Sequence, residues 1–389
     1  MSGRCTRMLS SCCLLLVPLL VASAQAHDRD SDDRAPRYVV DPSWPKPLPN
    51  DWILGQVGGL AVDRHGHIWV NQRPRSLTDD EMGAVPNPPT RTTPRSICCK
   101  PAPSVMEFDR EGNLLQAWGG PVDPTKCVAP QCMWPASEHG IYVDDQDYVW
   151  VGGNGGPDRM LLKFKKDGTF VMMIGGSFSG PADSLSHTSV GRPAGIQVDN
   201  RRNEVYVADG YLNRRIVVFN ATTGEFIRQW GAYGNTPVDL PPGTPPDPNA
   251  SYFNNPVHCV ILSHDDLVYV CDRVNNRIQV FDRLGKFQKQ FVFDPATLGN
   301  GSTWVARFSA DQKQRYLIYA DGENNVVRIV DRDSGEVLGT FGHSGRNAGQ
   351  FHWVHQIDLD EDGNIYTGEV DTAKRLQKFV LSHGRDDGH

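Results

Sequence analysis

One pattern recurs six times along the chain and constrains its fold more than any other feature: a small residue or histidine, alternating apolar residues, usually an aspartate, a polar turn, then an aromatic-rich strand. The copies start at Gly58 (GGLAVD), His139 (HGIYVD), Ala194 (AGIQVD), His258 (HCVILS), Ala306 (ARFSAD) and His355 (HQIDLD), 48 to 81 residues apart. Turns such as Arg64-His65-Gly66 and Glu361-Asp362-Gly363 lead into IWV, VWV, VYV, VYV, LIY and IYT. Polar-glycine turns between alternating strands are hairpin signals. Most copies continue with a third and a fourth strand, as in RIVVF then EFIRQWG from Arg215, or RIQVF then KFQKQFVF from Arg277. Four antiparallel strands per copy describe a blade, and six copies an all-β, six-bladed β-propeller, whose radial packing protects the blade edges. The sixth copy holds only three strands, so Tyr38-Val39-Val40 is expected to supply its outer strand and close the ring.

Two insertions break the rhythm, residues 75–103, rich in Pro, Thr and Arg, and residues 232–255, rich in Pro, Gly and Asn. Both are expected to be loops without strands, and a substrate-covering role is one use of such segments. The domain reading is a signal peptide over residues 1–26, a propeller over 27–381 and a disordered tail over 382–389.

The signal-peptide reading rests on Arg4 and Arg7 ahead of the apolar run Leu14 to Ala22, followed by Ala24-Gln25-Ala26, with cleavage expected after Ala26. The run contains Pro18 and is far shorter than the roughly 20 residues of a membrane span. A secreted or periplasmic, soluble mature protein is therefore expected. Cleavage takes the formal net charge of −7 to −9, and no basic patch favours nucleic acid. Six cysteines remain, Cys98, Cys99, Cys127, Cys132, Cys259 and Cys271. An even number in an oxidising compartment makes disulfides plausible, although six cysteines allow fifteen pairings. Cys259 and Cys271 flank the turn at Asp265 at equal distances, which sets them opposite each other in a hairpin, and Cys127 and Cys132 bracket a short loop. Asn220, Asn249 and Asn300 begin glycosylation sequons that matter only in a eukaryotic source.

The first residue of the repeat reads Gly, His, Ala, His, Ala, His, so histidine leads the second, fourth and sixth copies. If equivalent positions face the ring axis, His139, His258 and His355 stand about 120° apart around one point, with small residues between them. Three neutral imidazoles with one open position form the ligand set of a catalytic zinc. A lone histidine in such a strand more often caps it or lines a wet channel; three in one register favour a shared metal. His65, His67, His187 and His264 follow no such register. Asp358, Asp360, Asp362, Gly363, Ile365 and Glu369 match the spacing of an EF-hand loop, but they fall on two strands and a hairpin, where alternate side chains face opposite ways and the flanking helices are missing.

The segments GQVGGLAVD at Gly55, HGIYVD at His139, DGYLNRRIVVF at Asp209, VHCVIL with VYVCDRVNNRIQVF up to Phe281, and VHQIDLDEDGNIY at Val354 resemble peptidyl-α-hydroxyglycine α-amidating lyases, zinc propellers of the NHL-repeat type. The resemblance covers the propeller but neither insertion nor the tail. It implies His139, His258 and His355 as zinc ligands, Tyr211 as the base at the substrate hydroxyl, and Arg73 and Arg273 as partners of the substrate carboxylate and developing oxyanion. Arg73 and Arg273 each follow the second strand of a copy and Tyr211 nearly does, which places all three near the same channel mouth. A tyrosine base needs a metal or arginine to favour its deprotonated form, and arginine suits a carboxylate through two parallel hydrogen bonds. Arg215 and Arg277, inside the repeated RIV and RIQ strands, read as structural.

One departure is chemical. Where the family has an aspartate after the third histidine, this chain has Gln356. In the family that carboxylate holds calcium beside backbone carbonyls that map to Val57 and Ile141, and a neutral amide makes calcium doubtful here. Trp353 and Val354 before His355 also change the pocket. The resemblance implies cleavage of a C–N bond at an α-hydroxyglycine-like centre of a small or peptide substrate, giving an amide and glyoxylate. Two rivals stand beside it. A metal-dependent hydrolase or lactonase would use the same ring with water as nucleophile, although such sites recruit Glu, Asp and Asn around calcium. A non-catalytic module would bind a protein partner or a glycan on its face.

Overall fold

The computed structural model describes residues 35–87, 89, 91–121 and 129–382. The leader and the residues after Ser382 lie outside these. Among the described residues six four-stranded antiparallel sheets form the ring. Their innermost strands are Gln56–Val62, Glu138–Val143, Gly195–Asp199, Val257–Leu262, Val305–Phe308 and Val354–Leu359, so each repeat start lies on or beside one of them. Neighbouring inner strands pack side by side around the circle, the sixth against the first. Closure is the expected one: Arg37–Asp41 pairs with Leu376–Ser382, placing Val39 opposite Val380. Ser382, assigned above to a disordered tail, still belongs to this strand, because Arg37 pairs with it.

The repeated aspartate is spent on closing hairpins. Asp63 accepts the backbone N–H groups of His65 and His67 and the indole N–H of Trp69 at 3.0 Å. Asp144 does the same for Gln146, Tyr148 and the Trp150 indole at 2.9 Å. Asp360 accepts from Asn364 and from the Tyr366 hydroxyl. A short polar side chain that bonds the backbone of its own turn is the usual reason for Asp at such positions. The EF-hand reading fails for the same reason, since Asp360 is engaged in its hairpin and Asp358 pairs with Arg307 at 3.0 Å. The cores lie between blades: Tyr206, Trp230, Val260 and Phe281 form one buried cluster between the third and fourth. Such burial stabilises by roughly 25 cal/mol per Å² of apolar surface.

Arg215 and Arg277 are structural, as expected. Each is fully buried and paired with a fully buried carboxylate, Asp209 at 2.9 Å and Asp272 at 2.8 Å. Cys259 and Cys271 are cross-strand partners and form a disulfide. Cys98 and Cys99 are bonded to each other; Cys132 is also disulfide-bonded, and Cys127 lies outside the described residues.

Both insertions leave the blades at the end where the inner strands begin. The first is not strand-free: Lys100–Pro101 pairs in parallel with Trp52–Ile53, because the Lys100 and Ala102 N–H groups find the Asp51 and Ile53 carbonyls at 2.8 and 3.0 Å. The second opens with one short turn of 3₁₀ helix, Ala232–Gly234. Among the described residues no helix is long and apolar enough to cross a membrane.

Candidate metal centre

His139, His258 and His355 meet at the ring axis. One ring nitrogen from each lies within 4.8 Å of the others, and the ring centroids are 4.8 to 5.2 Å apart. The side chains are buried, at 0, 1 and 2% exposure, so bulk water does not compete for them. Each stands at a bulge, where the pairing jumps from Glu138 to Ile141, from Val257 to Cys259 and from Val354 to Gln356. A bulge leaves a residue unpaired and re-aims its side chain, which is how a residue in an alternating strand comes to face the axis.

Hydrogen bonds fix two of the three tautomers. The Nδ1–H of His139 donates to the Ala194 carbonyl at 3.0 Å, and that of His258 to the Trp304 carbonyl at 2.5 Å. In both cases the acceptor is on the neighbouring blade at the start of its inner strand. A ring whose Nδ1 is protonated offers its Nε2 lone pair. Both Nε2 atoms lie 3.0 Å from the Tyr211 hydroxyl. That hydroxyl carries one proton, so it satisfies only one of the two lone pairs. Burial, reinforced by the Arg73 and Arg273 guanidiniums and, at His139 and His355, by neighbouring imidazoles, holds all three histidines well below their ordinary range and therefore neutral. Neutral, converging imidazoles with a lone pair to spare and carbonyl-anchored outer nitrogens fit a divalent metal.

The cations flank this centre. Arg73 donates only to neutral acceptors, the Glu138 carbonyl at 2.7 Å, the Gln56 side chain at 2.7 Å and the Asn154 side chain at 3.2 Å. Arg273 donates to the Asn300 carbonyl at 2.7 Å and to the Tyr211 hydroxyl at 3.3 Å, and stacks over the Trp304 ring at 3.8 Å. Burial pushes both guanidiniums down from their ordinary range, with Tyr211 opposing it. A cation withdrawn from water is costly unless an anion offsets it; the Glu138 carboxylate acts on Arg73 and the Glu323 carboxylate on Arg273. The six residues singled out from the sequence are thus brought together.

Calcium does not fit its expected place. The Gln356 amide nitrogen donates to the Gly58 carbonyl at 3.1 Å, supplying a donor where a cation needs acceptors. The cavity on the axis that Gln356 and Ile141 line is also lined by Arg307. The sequence reading missed Trp304, whose ring is 6.2 Å from His258 and 5.8 Å from His355. Its signal was positional: Trp304 stands two residues before the fifth repeat start, as Trp353 does before the sixth. Asp63, His67 and Glu107 form a second cluster; there the Lys166 ammonium bonds Glu107 at 2.9 Å and already supplies the cation.

No protein-family model matches the chain. It is 26% identical to mouse NHL repeat-containing protein 3 over 369 residues, 90% of this chain and 86% of that one. It is 28% identical to Xenopus laevis peptidyl-glycine α-amidating monooxygenase B over 356 residues, 85% of this chain but only 34% of that longer protein. A probable peptidyl-α-hydroxyglycine α-amidating lyase of Caenorhabditis elegans is 22% identical over 344 residues, covering 84 and 83% of the two chains. A solved Bacteroides thetaiotaomicron protein of unknown function superimposes with a TM-score of 0.52 at 15% identity over 85% of this chain and 70% of that one, a likeness of fold alone. The chain is a six-bladed NHL-type propeller with distant homology to the amidating lyases and to NHL repeat-containing protein 3.

Proposed function

We propose that this protein is an exported, zinc-dependent lyase that cleaves the C–N bond of an α-hydroxyglycine-type centre, releasing an amide and glyoxylate. The observation that carries the reading is Tyr211: its hydroxyl touches two histidine Nε2 atoms and an arginine at once. A hydroxyl held there shares its position with the oxygen of any ligand drawn to the three imidazoles. His139, His258 and His355 would hold the metal, which supplies Lewis acidity to a substrate hydroxyl. Tyr211, in its deprotonated form, takes the hydroxyl proton. The C–O bond becomes a carbonyl as the C–N bond breaks, the electron pair passes to the amide nitrogen, and Tyr211 returns the proton there. Arg73 and Arg273 bind the carboxylate and hold the substrate in place beside Tyr211. The Cys259–Cys271 disulfide supports the oxidising compartment that export implies.

The test is zinc per chain by elemental analysis of the wild type beside His258→Ala, followed by glyoxylate release from an N-acyl-α-hydroxyglycine. About one zinc, lost in the variant, with glyoxylate formed, supports the lyase. Zinc without glyoxylate favours another metal-dependent reaction. No zinc leaves a binding module, the reading that the match to NHL repeat-containing protein 3 along most of this chain keeps in play.

A further inference from the structure

The residues two places before each repeat start, Gln56, Ser137, Arg192, Pro256, Trp304 and Trp353, occupy one repeat position just ahead of the histidine layer. The ring order places the third blade, which carries Tyr211, opposite the sixth, which carries Trp353. Trp304 and Trp353 are in edge-to-face contact at 5.5 Å. Trp304 is buried, held by its indole N–H on the Gly301 carbonyl at 2.6 Å, and backed by Gly322, where any Cβ would collide with the ring. Trp353 is only half-buried and one ring removed from His258 and His355.

Trp353 is also held in an unusual backbone. Its φ is 52°, in the left-handed region that a bulky aromatic residue rarely adopts. The conformation is kept by its N–H, which donates to Asn325 Oδ1 at 2.6 Å, and by its carbonyl, which accepts from Val370 N at 3.2 Å. Retained strain of this kind clusters at ligand sites. Here it presents an indole against Trp304, which itself lies beside His258 and His355, on the blade across from the one that carries the base.

We propose that Trp353, backed by Trp304, is the specificity-determining wall for the acyl group of the substrate, and that this group is aromatic. The inference rests on the lyase reading for the placement of the substrate. With the hydroxyl at Tyr211 and the carboxylate at the arginines, the remaining substituent extends across the axis to the sixth blade. An aromatic acyl group meets an indole there by stacking or edge contact; a small acyl group leaves it uncovered.

The test separates binding from turnover. N-benzoylglycine and N-acetylglycine, which lack the hydroxyl and cannot be cleaved, are titrated calorimetrically into zinc-loaded wild type, Trp353→Gly and Trp353→Phe. Glycine suits the left-handed backbone, so that variant removes the ring without adding strain. Zinc content and thermal unfolding verify that each variant is folded. The wild type is expected to bind the benzoyl compound at least about tenfold tighter, Trp353→Gly to lose that preference, and Trp353→Phe to keep most of it. Equal affinities in the wild type, a preference surviving in Trp353→Gly, or no binding of either compound overturns the proposal. Failure to cleave the corresponding α-hydroxyglycines, with the Trp353-dependent preference intact, overturns the lyase reading and leaves the aromatic wall standing.

Discussion

Three buried histidines held well below their ordinary range make the metal-free protein acid-sensitive in a calculable way. In the unfolded chain each takes up a proton as the pH falls through about 6.5; in the folded chain, depressed by burial, none does. The unfolded state then binds more protons, so stability falls with pH, by up to about 1.4 kcal/mol per pH unit for each histidine. Three histidines acting together lose about 4 kcal/mol between pH 7.5 and 5.5. For a chain of this size that is a drop of about 5 °C in Tm. Asp272 and Asp321 are raised by burial and act with the opposite sign, equally in the wild type and in a histidine variant. The assay is urea unfolding of chelator-treated protein at half-unit pH steps, for the wild type and for His258→Asn. Because the native histidines stay neutral, zinc in excess should raise every point by a nearly constant increment, about 2.7 kcal/mol at one hundred times its Kd. A flat wild-type profile, or a His258→Asn profile of unchanged slope, would refute buried neutral imidazoles at these positions.

Four further outcomes are expected. Arg277→Leu leaves Asp272 buried without its cation and destabilises by about 3–5 kcal/mol, read by urea unfolding. Reducing the Cys259–Cys271 disulfide, or replacing both residues with serine, costs about 3 kcal/mol for the short loop it closes, read as a shifted urea midpoint. Arg73→Ala and Arg273→Ala each lower kcat/KM for a carboxylate-bearing substrate by tenfold or more, with the Arg73 variant retaining its zinc. Adding calcium or a calcium-selective chelator leaves Tm unchanged, because the Gln356 amide and Arg307 take the axial place; a calcium-dependent shift at micromolar concentration would show that they do not.

How much of this was legible in the chain differs from residue to residue. Strand alternation and hairpin turns are local properties, so the six repeats, their order and the pairing of Cys259 with Cys271 could be read directly. Once six blades are inferred, the ring itself turns a one-dimensional alternation of His and small residues into a three-fold set of imidazoles. Arg73, Arg273 and Tyr211 were harder, because their place at the mouth depends on where a second strand ends. Trp304 was passed over and Trp353 was read only as a change to the pocket, because nothing local distinguishes a packed indole from a wall.

The sequence by itself determined the propeller, its N-terminal closure, the structural character of Arg215 and Arg277 and the identity of the three candidate ligands, because each follows from periodicity and composition. Only the tertiary structure decided what those residues do together. The carbonyls from neighbouring blades that select two of the histidine tautomers, and the hydroxyl shared between two of them, involve residues 46 to 72 positions apart. The donor of Gln356, facing a carbonyl of the adjoining first blade at Gly58, is of the same kind, with 298 positions between the two residues. Contacts of that length are made by blades closing on one axis, and no window of sequence contains both partners.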